Sequence, residues 1–348
     1  MPPRDTSAGP SRYLKQERVA AIGPEGQHRL GQAAVLVVGV GALGSLIVEQ
    51  LVRAGVGTVR LVDRDLVERT NLQRQLLYTE ADADAAIPKA AAAADRLRAV
   101  NSEVVVEAFV EDFTAASARR LLGNSDLILD GTDNLETRYL INDLALAEDT
   151  PWIYGGCVGT FGQAAAIVPG RTPCLRCLFP EPPPADAMPT CDTAGVLGPS
   201  VHAVASIQSA LAMRLLVAGR DAVRPAMTVL DPWEGICRQV TLGSPVAGCP
   251  ACGSGTFDWL SGERGIAAVA LCGRNAVQIG AGEPFDLDSV ADRLAADGAI
   301  ERTRFLTRWR PRERDGWTVT LFPDGRTIIE GTEDVAAARS LHAKWIGA

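Results

Sequence analysis

Three observations predict an α/β chain: a doubly wound, mostly parallel sheet that continues into antiparallel strands, followed by a small C-terminal α/β domain. From residue 34 to about 157, short apolar strands alternate with helical patterns. That alternation places helices on both faces of a parallel sheet. The first strand, Val35-Leu36-Val37-Val38, runs into the glycine-rich turn Gly39-Val40-Gly41-Ala42-Leu43-Gly44 and then a helix. After Gly159 the alternation stops, and 161–168 reads as an antiparallel return strand.

Taken in order, 11–33 is a leading helical segment. The strands are 34–38, 58–62, 104–109, 126–130 and 152–156, with helices over 42–54, 88–100, 114–122 and 134–147 between them. Pro88 suits the first turn of its helix, which places Lys89 at a helix N-terminus beside any bound anion. Five prolines in 178–192 exclude regular structure there. A helix over 199–218 and strands at 227–230 and 236–242 follow, with Gly253-Ser254-Gly255 read as a linker. The division is therefore 11–253 and 258–348. The second part has strands at 267–271 and 276–279, a helix at 286–296, a hairpin through Phe322-Pro323-Asp324-Gly325 and a last helix over 334–346. Its basic run from Arg302 to Arg314 reads as a solvated edge strand with Arg302, Arg304, Arg308, Arg310 and Arg312 on one face.

At 348 residues, 47% hydrophobic and 22% charged, the chain has material for two or three domains and a large core. No apolar run approaches the roughly 20 residues of a membrane span, and Met1 to Arg18 lacks a signal peptide's apolar stretch, so the expectation is a cytoplasmic protein without a membrane partner. The net charge of −8 argues against direct nucleic-acid binding. Only Lys15, Lys89 and Lys344 among 34 basic residues are lysines.

The segment after the glycine turn carries more charge than a redox dinucleotide requires. Such a site needs the glycines, whose helix-end N–H groups take phosphates, and an acid such as Asp63 for the ribose. Here Asn71-Leu72-Gln73-Arg74-Gln75, Pro88-Lys89 and Gly131-Thr132-Asp133-Asn134 follow in order. Arg74, Lys89 and Asp133 suit a triphosphate and its Mg²⁺, which points to chemistry at phosphorus. Each alone reads as a surface charge, or for Asp133 a helix cap; the ordered set is what carries the reading.

Cys174-Leu175-Arg176-Cys177 and Cys249-Pro250-Ala251-Cys252 supply four thiolates for one structural Zn²⁺. The 71 residues between the two pairs mean that the metal would staple distant parts of one domain. Cys191 closes the proline-rich segment, where a thiol is placed to act as a nucleophile. Cys157, Cys237, Cys272 and His202 read as packed core residues.

This ordered set resembles the ThiF/MoeB family, the bacterial relatives of ubiquitin-activating enzymes, across about residues 11–253. The resemblance implies a Rossmann-like adenylyltransferase that uses ATP–Mg²⁺. Its substrate would be the C-terminal glycine of a ubiquitin-like sulfur-carrier protein ending in Gly-Gly. It implies a homodimer with structural zinc held by Cys174, Cys177, Cys249 and Cys252. It places Gly39, Gly41, Ala42, Gly44, Asp63, Asn71, Arg74, Lys89 and Asp133 around the nucleotide, with Asp133 on Mg²⁺. Residues 178–196 become a crossover loop, whose Cys191 takes the acyl group or sulfur in some members. Arg12-Tyr13-Leu14-Lys15-Gln16 sets Lys15 where the family has an Arg that reaches the partner subunit's ATP site, and Ala42 stands where a Gly is usual. No cysteine loop of a sulfurtransferase is evident after 258, so the sulfur donor would be a separate protein. The rival readings are a nicotinamide-dependent dehydrogenase, a non-catalytic zinc-stapled scaffold, and adenylation of a peptide or small carboxylate.

Overall fold

The computed structural model describes residues 11–183, 191–264, 268–271, 275–280 and 284–346. The chain forms two compact units, Met1–Glu263 and Arg264–Ala348.

The first unit opens with α1 (Leu14–Glu17) and α2 (Gly23–Gln32), two helices where the sequence suggests one. Gly23 has φ +61° and precedes Pro24, so the helix restarts there. Then follow β1 (Ala34–Val38), α3 (Ala42–Ala54), β2 (Thr58–Val62), the short α4 (Glu80–Asp84), α5 (Lys89–Val100) and β3 (Val105–Phe109). Pro88 directly precedes α5, and Lys89 is its first residue. Next come α6 (Ala118–Leu122), β4 (Leu127–Asp130), α7 (Leu135–Ala147), β5 (Trp152–Val158) and β6 (Phe161–Ile167). The helix expected over 114–122 is only five residues long, because Thr114 and Ser117 hydrogen-bond each other's backbone in a turn instead. The unit ends with α8 (Leu175–Leu178), α9 (Cys191–Ala194), α10 (Gly198–Ala218), β7 (Ala226–Asp231) and β8 (Ile236–Thr241).

These strands form one eight-stranded sheet in the order β3-β2-β1-β4-β5-β6-β7-β8. The first five are parallel and the β5-β6-β7-β8 pairings antiparallel. Side chains alternate between two cores along each strand. In β1, Val35 and Val37 join a cluster with α3, α5 and α10, whereas Leu36 and Val38 join one with α6 and α7. Burial on both faces explains why β1 is apolar throughout.

Further expectations fail in this unit. The expectation of no regular structure over 178–192 gives way at both ends: Leu178 ends α8, and Cys191 and Asp192 open α9. The sequence does hold a helix long and apolar enough to span a membrane, α10 with 21 residues. In this fold it is a sheet-covering core helix, burying Val201, Val204, Ala205 and Ala212 against the first cluster. Cys237 is exposed, because every residue of the edge strand β8 is; Cys272 lies outside the described residues.

Gly253-Ser254-Gly255 folds back as a turn, the N–H groups of Gly253 and Ser254 both bonding the carbonyl of Cys249. Beyond it, Trp259 and Leu260 are buried in the second cluster. The N–H of Trp259 donates to Asp143 Oδ2 at 3.1 Å, tying this stretch to α7.

The second unit is an antiparallel six-stranded sheet. Its elements are β9 (Ala268–Leu271), β10 (Ala276–Ile279), α11 (Leu287–Leu294), β11 (Gly298–Arg302), β12 (Thr307–Pro311), β13 (Thr318–Leu321), β14 (Thr327–Glu330) and α12 (Val335–Trp345). The order is β11-β12-β13-β14-β10-β9, over a core that includes Val277, Leu294, Trp309, Val319 and Leu341. The basic run is split by a turn between β11 and β12, so it is not one edge strand, and β12 is flanked on both sides. Arg302 pairs with Asp292, and Arg310 with Glu301.

Burial raises the Asp143 carboxyl to about 6, against the lowering effects of the Trp259 N–H and the charge of Arg176. Its folded value lies above its unfolded value of roughly 3.9, so stability is lost as pH rises through that window. Asp143→Asn stays neutral throughout. Thermal melts should show it gaining Tm over the parent at about pH 7.5 and losing that gain by about pH 4.5.

Candidate functional site

In the strand order, β1 and β4 are neighbours whose following connections run to opposite sides, the position at which such sheets bind ligands. The turns after these two strands touch. Gly39, at φ +82°, donates its N–H to Val62 O at 2.8 Å. A Cβ on Gly39 would lie 2.8 Å from Gly131 O, and one on Gly44 or Gly131 would collide with the carbonyl of Gly39. Gly41 differs: its φ is −78°, and a methyl group there would have Gln75 Nε2, at 3.6 Å, as its nearest neighbour. Ala42 opens α3, and its methyl packs at the margin of the first core.

Asp63 follows β2 and is buried. Its Oδ2 accepts from Val40 N–H at 2.6 Å and its Oδ1 from Asp65 N–H at 2.7 Å. Burial raises its pKa, and the charge of Lys89 opposes that. Lys89 Nζ lies 3.0 Å from Asp65 Oδ2 with its side chain only 5% exposed. Burial alone would lower the Lys89 pKa, but Asp65 and Asp63 hold it above the ordinary range, so the ammonium stays charged. Tyr78 Oη ties the two segments together by donating to Val40 O at 2.6 Å.

Asp133 is exposed, and its charge acts on Lys89 and Arg138. It does not cap the following helix; Asn134 does, accepting from Thr137 N–H at 2.8 Å. Asn71 is buried and its Oδ1 accepts from Glu68 N–H at 3.2 Å, closing the turn that presents Arg74. Arg74 folds back, Nη1 donating to Thr70 O at 3.0 Å. The structure thus gathers Gly39, Gly41, Gly44, Asp63, Lys89 and Asp133 around the ends of β1, β2 and β4, with the Asn71–Gln75 turn against Gly41. Lys15 stands apart. Its neighbour Gln16 bonds Ala54 O at the far end of α3, a 13-residue helix that rises about 20 Å from the glycine turn. Cys191 begins α9, and its side chain lies outside the described residues.

Several supporting residues escape a reading by motif. Arg138 reaches back from α7 to Asp130 Oδ2 at 2.9 Å and to the carbonyls of Thr132 and Gly155 at 2.8 and 2.9 Å. This buried pair rigidifies the turn bearing Asp133. Its only signal in the sequence is an Arg eight residues after an Asp. His202 is half-buried, not a core residue; its Nε2 lies 3.0 Å from Arg74 O and pins that turn to α10.

A second constellation lies on the other face of the sheet. The sulfurs of Cys174, Cys177, Cys249 and Cys252 all lie within 4.8 Å of one another. The Cys174–Cys177, Cys174–Cys249 and Cys177–Cys252 separations are 3.8, 3.6 and 3.3 Å. Tetrahedral Zn–S bonds of about 2.3 Å set sulfurs about 3.8 Å apart, so the four fit zinc. Burial pushes the Cys174 thiol up to about 12. At Cys249 burial acts in the same direction but is outweighed by the N–H groups of Cys252 and Ala251, which lower it. A divalent cation would supply the charge that lets all four ionise. Arg176, between the first pair, is buried and bonded to Asp258 at 2.6 Å. Asn142 Oδ1 accepts from Leu175 N–H at 2.8 Å, which anchors the cluster to α7.

The ThiF family model matches residues 13–251. The sulfur carrier protein ThiS adenylyltransferase of Bacillus subtilis is 44% identical over 344 residues, covering 97% of this chain and 99% of its own. The sulfur carrier protein adenylyltransferase of Thermus thermophilus is 40% identical over 247 residues, 70% of this chain and 90% of its own. Among solved structures, Escherichia coli MccB with ATP superposes with a TM-score of 0.61 at 20% identity, over 71% of this chain and 75% of that one, a likeness of fold.

Elemental analysis of the purified protein should find one zinc per chain. Cys249→Ser should lose it, with Tm falling by several degrees; an unchanged metal content would remove the four-sulfur assignment.

Proposed function

We propose, for a chain that belongs to the ThiF family, that it adenylates the C-terminal glycine carboxylate of a ubiquitin-like, ThiS/MoaD-type sulfur carrier with ATP, releasing pyrophosphate. The observation that carries this reading is the pairing of a glycine turn at the sheet's switch point with a buried, charged Lys89 and an exposed Asp133. Hydride transfer has no use for either. The relationship to a ThiS adenylyltransferase along nearly its whole length supports the carrier as substrate.

In the reaction a carboxylate oxygen of the carrier attacks the α-phosphorus, and the bond to the bridging oxygen of the β-phosphate breaks. Negative charge accumulates on the nonbridging oxygens and on the departing pyrophosphate. The backbone N–H groups at the start of α3 point at the phosphates, which the absence of a side chain at Gly41 lets approach. Lys89 is fixed before substrate arrives, so its charge acts without reorganisation. Arg74 must swing from Thr70 to add a second cation. Asp63 uses one lone pair on each oxygen for Val40 and Asp65 and keeps the others for ribose hydroxyls. Asp133 would hold Mg²⁺, which neutralises phosphate charge when bound.

The wider assignment is a cytoplasmic homodimer with a zinc staple, served by a separate sulfur donor. In the dimer Lys15 reaches the partner's cleft, consistent with its distance from its own. Cys191 is the candidate acceptor of the activated acyl group or sulfur.

Lys89→Ala and Asp133→Ala should each lower carrier-dependent ATP–pyrophosphate exchange by about a hundredfold or more with zinc content retained; Tm should stay near the parent's for the exposed Asp133 and fall for Lys89, whose loss leaves buried carboxylates uncompensated. Exchange within a few fold of the parent in either variant would remove that residue from the site.

A further inference from the structure

A cavity of about 290 Å³ lies at the other end of the sheet, where β2 and β3 begin, and shares no residue with the cleft described above. That is close to the lower bound, roughly 300 Å³, of small-ligand sites. Its walls are fixed. The Tyr13 ring lies on Gly55, where a Cβ would come within 2.5 Å of it, and its Oη accepts from Asn101 Nδ2 at 2.8 Å. Gln27 is buried, with Nε2 donating to Ala54 O at 3.0 Å and Oε1 accepting from Gln16 Nε2 at 2.6 Å. These bonds seat α1 and α2 on the body of the unit and leave the space between them open.

Pro24, Gln27, His28 and Gly31 form the α2 wall, at the spacing of one helix face. Gly31 is the informative member. It is helical, so its backbone does not call for glycine, and a Cβ there would meet nothing nearer than Gly55 O at 4.0 Å. Glycine inside a helix costs stability relative to alanine. A glycine that neither backbone nor packing requires keeps the mouth of the cavity open.

The polar lining is acidic. Glu17 of α1 and Glu103, just before β3, bring carboxylates, and no Lys or Arg lines the space. Arg12 Nε lies 3.7 Å from Glu103 Oε1 and offsets part of that charge, so the lining suits a single positive charge. An anion does not fit it. Neither does a metal ion: among the described residues only the four cysteines form a cluster of three or more ligands close enough to hold one.

We propose that this cavity binds a small organic cation, an amine whose charge sits beside Glu17 and Glu103 and whose carbon body lies against Val104. Tyr13 and Glu17 share one face of α1, and Lys15 lies roughly 200° round the helix on the opposite face. A bound cation would therefore tie α1 to α2 and to the start of β3 from behind, without covering Lys15.

The test uses the purified full-length protein without nucleotide or carrier. Saturation-transfer NMR titrations compare butylammonium, cyclohexylammonium and choline with their neutral counterparts butanol, cyclohexanol and dimethylbutanol. At least one ammonium should bind saturably and roughly tenfold or more tightly than its alcohol. That probe should weaken roughly tenfold in Glu17→Gln and in Glu103→Gln. Gly31→Leu should abolish its binding and leave the ligand-free Tm equal or higher, because leucine fills the space and favours the helix. Alcohols bound as tightly as ammoniums, no saturable ammonium, or affinity kept in Gly31→Leu would each overturn the site. If Gly31→Leu lowers the Tm, the two glutamine variants decide: a loss in either sustains the proposal, and unchanged affinity in both overturns it. None of these readouts involves ATP, so their failure leaves the proposed reaction standing.

Discussion

Backbone meets backbone where β1 and β4 end, and no side chain fits between them. The carbonyl of Gly39 lies against Gly44 and Gly131 so closely that a methyl group on either would displace it. This contact sets how the first turn, the start of α3 and the turn after β4 lie relative to one another. The consequence is a cleft whose floor is N–H groups and whose rim carries Asp63, Lys89 and Asp133. A fold that opened this contact by one carbon would separate the glycine turn from Asp133.

Around that contact the charges are organised by burial. Lys89 with Asp65, and Arg138 with Asp130, are ion pairs largely withdrawn from water. Such pairs add little net stability, because desolvation offsets their attraction. Their value here is positional. Each fixes the charge state and direction of a group, or of the turn bearing it, before substrate enters. The four-cysteine cluster, whose geometry fits zinc, lies in the second core and works at longer range: it joins residues some seventy positions apart beside α7, the same helix from which Arg138 reaches the site.

Much of this was legible in the sequence. The five parallel strands, the glycine turn and the helices α3 and α7 are local patterns of hydrophobic period and turn residue, and each occurs within a few residues of its expected place. The four cysteines could be paired because metal ligation leaves a spacing signature. Arg138 and His202 could not be found this way. Their roles come from partners 8 and 128 positions away, Asp130 and Arg74, and no local pattern marks such contacts. The basic run in the second unit misled for the converse reason: one composition spans two strands, and the turn dividing them has no Gly or Pro to announce it. The turn at 253–255 has both glycines a linker would have, but Gly253 serves tight backbone packing against Ala247 and Cys249, and Gly255 supplies a left-handed backbone with φ +69°.

On the reading proposed above, this chain forms an acyl-adenylate on a carrier protein. The most direct measurement is ATP–pyrophosphate exchange with purified ubiquitin-like carriers ending in Gly-Gly. Exchange that requires one such carrier, and that disappears when its terminal glycine is removed, is the predicted result. ATP bound to the site but no exchange with any carrier would rule out carrier adenylation.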